Sequence, residues 1–135
     1  MKVYNWKETI VKENKKIKDV IKNINLTSKK ISIVVDKKNN FKGIVTDGDI
    51  RRGLIKGFEL DDSLLNVIVK KPIIVNPNSS FSHAKKIMEK NQIDYIPIVN
   101  SKNKVLGIFD NKKKNINKKI KKIPFVIMAG GFGRR

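Results

Sequence analysis

The sequence predicts an α+β fold of two β-α-β-β-α repeats about a pseudo-twofold axis, and three observations carry that expectation. The chain repeats itself: moved by 64 positions, residues 11–50 fall on 75–114 without a gap. In each copy a helical apolar period is followed by two short apolar runs joined by a polar turn. Neither copy is large enough to bury a core alone, so each must cover the other's apolar sheet face.

Residues 1–9 read as a lead-in whose Tyr4 and Trp6 pack at the domain edge. From Asn14 onward, Ile17, Val20, Ile21 and Ile24 recur at i, i+3, i+4 and i+7, one apolar face of a helix with lysines opposite. Ile31–Val35 is a buried strand, 36–40 a polar turn, and 41–45 a second strand in which Gly43 marks a close approach by another backbone or a ligand. The chain turns at Asp47-Gly48 into a helix over about 49–56 that Gly57 stops, with Asp47 or Asp49 as possible N-caps. A short helical segment at 62–68, capped by Asp62 or Ser63, closes the first copy at about residue 69.

After Lys70-Lys71-Pro72 the pattern starts again, and the second copy is placed at 70–121. It should hold a strand at 73–75, a helix over about 79–90, strands at Tyr95–Val99 and 104–109, and a weaker helix around 112–121. Residues 122–135 form a third segment, an apolar run into a glycine-rich turn.

Composition narrows the function classes. No run approaches the ~20 apolar residues of a membrane span, and residues 1–6 lack the apolar stretch of a signal peptide. Zero cysteines exclude disulfides and thiolate metal sites and fit a cytoplasmic setting. With one histidine, His83, read as a surface residue, no metal cluster is visible and no cofactor is required. The net charge of +19 attracts polyanions, but the lysines are scattered and few aromatics are placed to stack bases. No specific nucleic-acid site is expected.

The chemistry concentrates at the first strand-to-helix corner, Gly43-Ile44-Val45-Thr46-Asp47-Gly48-Asp49-Ile50-Arg51-Arg52. A hydroxyl (Thr46) and a carboxylate (Asp49) meet where amide N–H groups point out of a helix end, with Arg51 and Arg52 adding positive charge. A carboxylate for ribose hydroxyls beside donors for a phosphate outlines a nucleotide site. The bland alternative is that Thr46 closes a strand and an aspartate caps the helix. In the second copy Thr46 corresponds to Asp110 and Asp49 to Lys113, so that corner lacks both ligand-type groups.

The two repeats with their Gly-Ile-Val-Thr-Asp-Gly-Asp corner resemble a tandem pair of cystathionine-β-synthase (CBS) domains, a Bateman module, over about 10–121. The resemblance implies an adenine-nucleotide cleft in which Gly43, Thr46 and Asp49 match the family corner. Asp49 would take ribose hydroxyls, Thr46 would reach the phosphate, and backbone around Ile31 and Ile33 would hold the base edge. It also places Tyr95-Ile96-Pro97 at the weaker, second cleft, although Ile96 and Ile98 read better as core residues. The string Thr46-Asp47-Gly48-Asp49-Ile50-Arg51-Arg52 looks like CBS pairs that precede sugar-phosphate nucleotidyltransferases.

The C-terminal stretch is similar to the opening of such a transferase. Gly130, Gly131 and Gly133 would close around phosphates and Arg135 would match the family's arginine, while Arg134 replaces its Thr/Ser. The expectation is a regulatory, non-catalytic module whose effector is an adenine nucleotide, joined to its own catalytic domain and paired as a homodimer. The alternative is a ligand-independent dimerisation module with a vestigial cleft. A self-sufficient enzyme is disfavoured, because no nucleophile–base pair is visible.

Overall fold

A computed structural model describes residues 5–111. Its elements are β1 (Ile10–Lys12), α1 (Ile17–Thr27), β2 (Ile31–Val35), β3 (Phe41–Thr46), α2 (Asp47–Ile55), α3 (Phe81–Asn91), β4 (Tyr95–Val99) and β5 (Val105–Asp110), with short 3₁₀ turns at Trp6–Thr9 and Leu64–Asn66. The first sheet has the order β1-β2-β3, with β1 parallel and β3 antiparallel to β2; the second is the antiparallel pair β4-β5. The mixed α+β fold stands as expected.

The 64-residue period holds down to backbone detail. α1 and α3, β2 and β4, and β3 and β5 coincide at both ends when shifted. Each hairpin carries its register shift at the same place, between Val34 and Val35 and between Ile98 and Val99. Left-handed residues recur as well: Ser28 and Gln92 end the helices at φ of 59° and 55°, and Asn39 and Asn103 turn the hairpins at 67° and 64°. The hairpin tips meet at Asn40 and Lys104, one position and its own repeat equivalent, which sets an approximate twofold axis there. Phe41 N donates to Asn103 O at 2.8 Å and Lys104 Nζ to Lys38 O at 2.6 Å across this crossing.

Alternation along the strands sorts the core into three layers. Ile31, Ile33, Val35, Phe41 and Ile44 face Tyr95, Val99 and Ile108 between the sheets, where Trp6 also packs. Val34 and Val45 turn the other way, onto Ile17 and Val20 of α1 and Ile50 of α2. Ile96 and Ile98 meet Ala84 and Met88 of α3 on the far side. Every one of these side chains but Trp6 is buried.

Three expectations change in detail. The strand at 73–75 shrinks to one bridge, Val75 with Ile98, held by Val75 N to Pro97 O (3.0 Å) and Val99 N to Val75 O (2.9 Å). Two prolines account for this. In the first repeat Glu13 N donates to Val35 O at 2.8 Å, but Pro77 stands at the equivalent place, and Pro97 has likewise lost its N–H. The helix at 49–56 begins at Asp47, with Thr46 and not an aspartate as N-cap. The segment at 62–68 is a single 3₁₀ turn whose cap is Ser63, its Oγ accepting from Leu65 N at 3.1 Å. Tyr4, the helix expected at 112–121, Lys113 and the glycine-rich stretch through Arg135 lie outside the described residues.

Candidate functional site: a cleft between the repeats

The site begins at Gly43. Ile44 exchanges both backbone hydrogen bonds with Val69, N to O at 3.1 Å and 2.8 Å, pressing the inter-repeat linker against β3. A Cβ at Gly43 would run into the Val69 carbonyl oxygen, so this glycine answers a close backbone approach. It is not among the residues that border the cleft; in this structure its part is to seat a wall.

That wall, formed by Val69, Lys71, Pro72 and Ile73, faces the first turn of α2 across a cleft of 550 Å³. Thr46, Asp49, Arg51 and Arg52 all border it, as does Ile31 at the start of β2. The predicted hydroxyl and acid therefore share one hollow with both arginines. Ile33 is not among the bordering residues; its side chain, like that of Ile31, is fully buried between the sheets, two residues further from the rim. The third side comes from the second repeat, through Gln92, Ile93, Asp94 and Tyr95. Tyr95 thus borders this first cleft, while its pairing with Asp110 also sets it beside the second corner.

Sequence reading missed Lys30, Lys71 and Asp94, which also line the space. The internal repeat held the signal for part of this, since 92–95 are the equivalents of 28–31, of which Lys30 and Ile31 border the same space. His83 is exposed on α3, where its backbone N–H donates to the Ser80 cap at 3.1 Å. Among the described residues no group of three or more His, Cys, Asp or Glu is placed to hold a metal ion.

The corner itself is a closed hydrogen-bond circuit. Asp49 N donates to Thr46 Oγ1 at 3.2 Å, while Asp49 Oδ2 accepts from Thr46 N at 2.9 Å and from the Thr46 hydroxyl at 2.8 Å. This is a capping box, so the helix-cap reading and the ligand reading fall on the same atoms. Arg52 Nη2 completes it by donating to Asp49 Oδ1 at 2.8 Å, and Arg51 bridges Asp47 at 3.2 Å. Asp47 N, bonded to Lys30 O at 3.1 Å, ties the helix start to the head of β2.

Four cationic and three acidic side chains border the space, and the amide groups of the first turn add partial positive charge. A volume of this size is ordinary for a drug-sized organic ligand, for which about 300–1,000 Å³ is typical. Apolar Ile31, Ile44, Val69, Pro72 and Ile73 offer a flat base a surface, with the anion-favouring helix end beside it.

Comparison with known proteins bears on this geometry. The CBS domain model matches residues 5–56 and again 64–112. Arabinose 5-phosphate isomerase GutQ of Salmonella typhi is 28% identical over 91 residues, covering 67% of this chain and 28% of that protein. Homoserine O-acetyltransferase of Methanosarcina acetivorans is 32% identical over 76 residues, covering 56% and 13%. The match spans between 13% and 28% of the length of these curated relatives. Among solved structures, AcuB from Vibrio cholerae superposes with a TM-score of 0.69 at 18% identity, covering 76% of each chain. The CBS domain protein PAE2072 from Pyrobaculum aerophilum, complexed with AMP, gives 0.68 at 17% identity over 75% of this chain and 78% of that one. At such identities the likeness shows the fold.

Proposed function

The chain belongs to the CBS domain family, and from that premise we propose that it is a regulatory module that senses an adenine nucleotide in the cleft between its repeats. The observation that carries this reading is the convergence of Thr46, Asp49 and Arg52 on one 550 Å³ hollow at a helix N-terminus. Asp49 accepts the ribose hydroxyls, Thr46 and the first-turn amides meet the phosphate, and backbone at Ile31 holds the base edge. The AMP complex of PAE2072 and the ATP complex of the MgtE cytosolic domain support the ligand class. The chain divides at about residue 70, with 10–69 and 70–121 as its units.

Nucleotide binding regulates only if the ligand prefers one arrangement of the two repeats. The cleft has walls from both, so closing on a ligand changes how they sit. The domain controlled is an enzyme of sugar phosphates in the cytoplasm. The likeness of Gly130, Gly131, Gly133 and Arg135 to a phosphate loop favours a sugar-phosphate nucleotidyltransferase, whereas relatives such as GutQ favour an isomerase.

Calorimetry with AMP, ADP, ATP and S-adenosylmethionine on the wild type and Asp49→Ala tests the reading. One ligand should bind, and the substitution should weaken it about tenfold or more, as loss of a charge-assisted hydrogen bond implies. If none binds, or affinity ignores Asp49, the nucleotide site is wrong.

One observation favours a dimerisation module with a vestigial cleft: the capping box already occupies Thr46 and Asp49, while Leu54 and Ile55 of α2 are 40% and 79% exposed. A homodimer unmoved by nucleotide in sedimentation would support it.

A further inference from the structure

The geometry points to Arg52 as a latch on Asp49 that makes the cleft select phosphorylated nucleotides over nucleosides. This inference rests on the nucleotide reading of the cleft. Asp49 is 14% exposed, and its two oxygens take three hydrogen bonds: two from Thr46 to Oδ2 and one from Arg52 to Oδ1. The Thr46 bonds belong to the helix cap and hold α2 in place. The Arg52 bond is the exchangeable one, for the arginine is 67% exposed and reaches back three residues along the helix surface.

Gly48 makes that return possible. A Cβ there would stand 3.1 Å from Arg52 Nη1 and 3.4 Å from Nη2, so the bare glycine leaves the guanidinium room beside the first turn. Arg52 borders the cleft from this position. Oδ2 already accepts twice and Oδ1 once, which leaves one acceptor position, so a ribose that brings both hydroxyls to Asp49 must displace the guanidinium. A nucleoside offers the displaced cation nothing, whereas a nucleotide offers its phosphate, which suits a guanidinium fork. The same residue thus opposes sugar binding in the empty cleft and supports it once a phosphate arrives.

The test is calorimetry with adenosine and AMP on the wild type, Arg52→Met and Gly48→Ala. In the wild type AMP should bind about tenfold or more tightly than adenosine. In Arg52→Met, AMP should weaken by about tenfold while adenosine tightens by about two- to fivefold, the range expected for releasing a partly exposed ion pair. Gly48→Ala, which crowds the guanidinium, should move adenosine in the same direction by a smaller factor. Arg52 is largely solvated, and unchanged thermal melting will show that its replacement leaves the fold intact. If AMP weakens and adenosine does not tighten, Arg52 is a plain phosphate ligand and the latch is overturned while the cleft stands. If neither ligand binds the wild type, the nucleotide reading falls and takes the latch with it.

Discussion

At the end of β3, Thr46 and Asp49 close a capping box over a helix of nine residues and border a cleft. At the end of β5, 64 positions later, the same strand position carries Asp110, and the sequence sets Lys113 where Asp49 would stand. Up to that point the two repeats agree in register, bulge position and left-handed turns. Backbone demands therefore outlasted side-chain chemistry after duplication. A register shift or a misplaced αL residue would disrupt the whole sheet, whereas an exchanged carboxylate alters one pocket.

The hairpin turns give the same lesson in miniature. Asp36 Oδ1 accepts from Lys38 N at 2.8 Å and Asn40 N at 2.9 Å, and in the second repeat Asn100 Oδ1 accepts from Lys102 N and Lys104 N, both at 2.9 Å. A carboxylate and an amide make one turn. Only the carboxylate titrates.

The largest effect should come from Gly43→Ala. Its Cβ meets the Val69 carbonyl, and a backbone clash has no flexible side chain to yield, so the loss should be about 2–4 kcal/mol. Chemical denaturation measures it; a cost below about 0.5 kcal/mol would mean that the linker is not pinned against β3.

Next comes the contrast between corners. Thr46→Ala should weaken nucleotide binding about tenfold and cost about 1 kcal/mol of stability through the lost cap. Asp110→Ala should leave affinity within about twofold. Calorimetric stoichiometry should be one nucleotide per chain; a second bound nucleotide, or equal sensitivity at both corners, would break the asymmetry.

The smallest effect is acidic. Hydrogen bonding, led by the Asn40 backbone N–H, holds the Asp36 carboxyl below its ordinary value of 3.8. A folded-state value below the unfolded one stabilises above pH 3.8, and that contribution fades as pH falls through the folded value. Asp36→Asn, which copies the second repeat, should flatten the melting-temperature profile below pH 4. Parallel profiles for the two proteins would assign the acid limb to other groups.

The fold was legible because duplication made the sequence its own comparison: apolar residues at period two and at helical spacing recur in the same order. The shortened strand at Val75 is legible too, in Pro77 and Pro97, which each withhold an N–H from a parallel partner. Thr46 and Asp49 could be found from residue type and spacing at one strand end. The linker wall could not, because Lys71 and Ile73 acquire their place through the Val69–Ile44 pairing, a contact that local sequence does not encode. Ile33 shares its sheet face with Ile31 but lies two residues nearer the hairpin, and so deeper between the sheets.

The hairpin crossing at Asn40 and Lys104 has a mechanical consequence. It clamps the strands at their tips, while Ile31 and Thr46 lie at the opposite end, about 13–17 Å away at the usual rise per residue. Were one half to rock against the other with the tips as pivot, a slight tilt there would become the widest gape at the mouth. Under the nucleotide reading, a small molecule wedged in those jaws would act on the longest lever arm the strands provide.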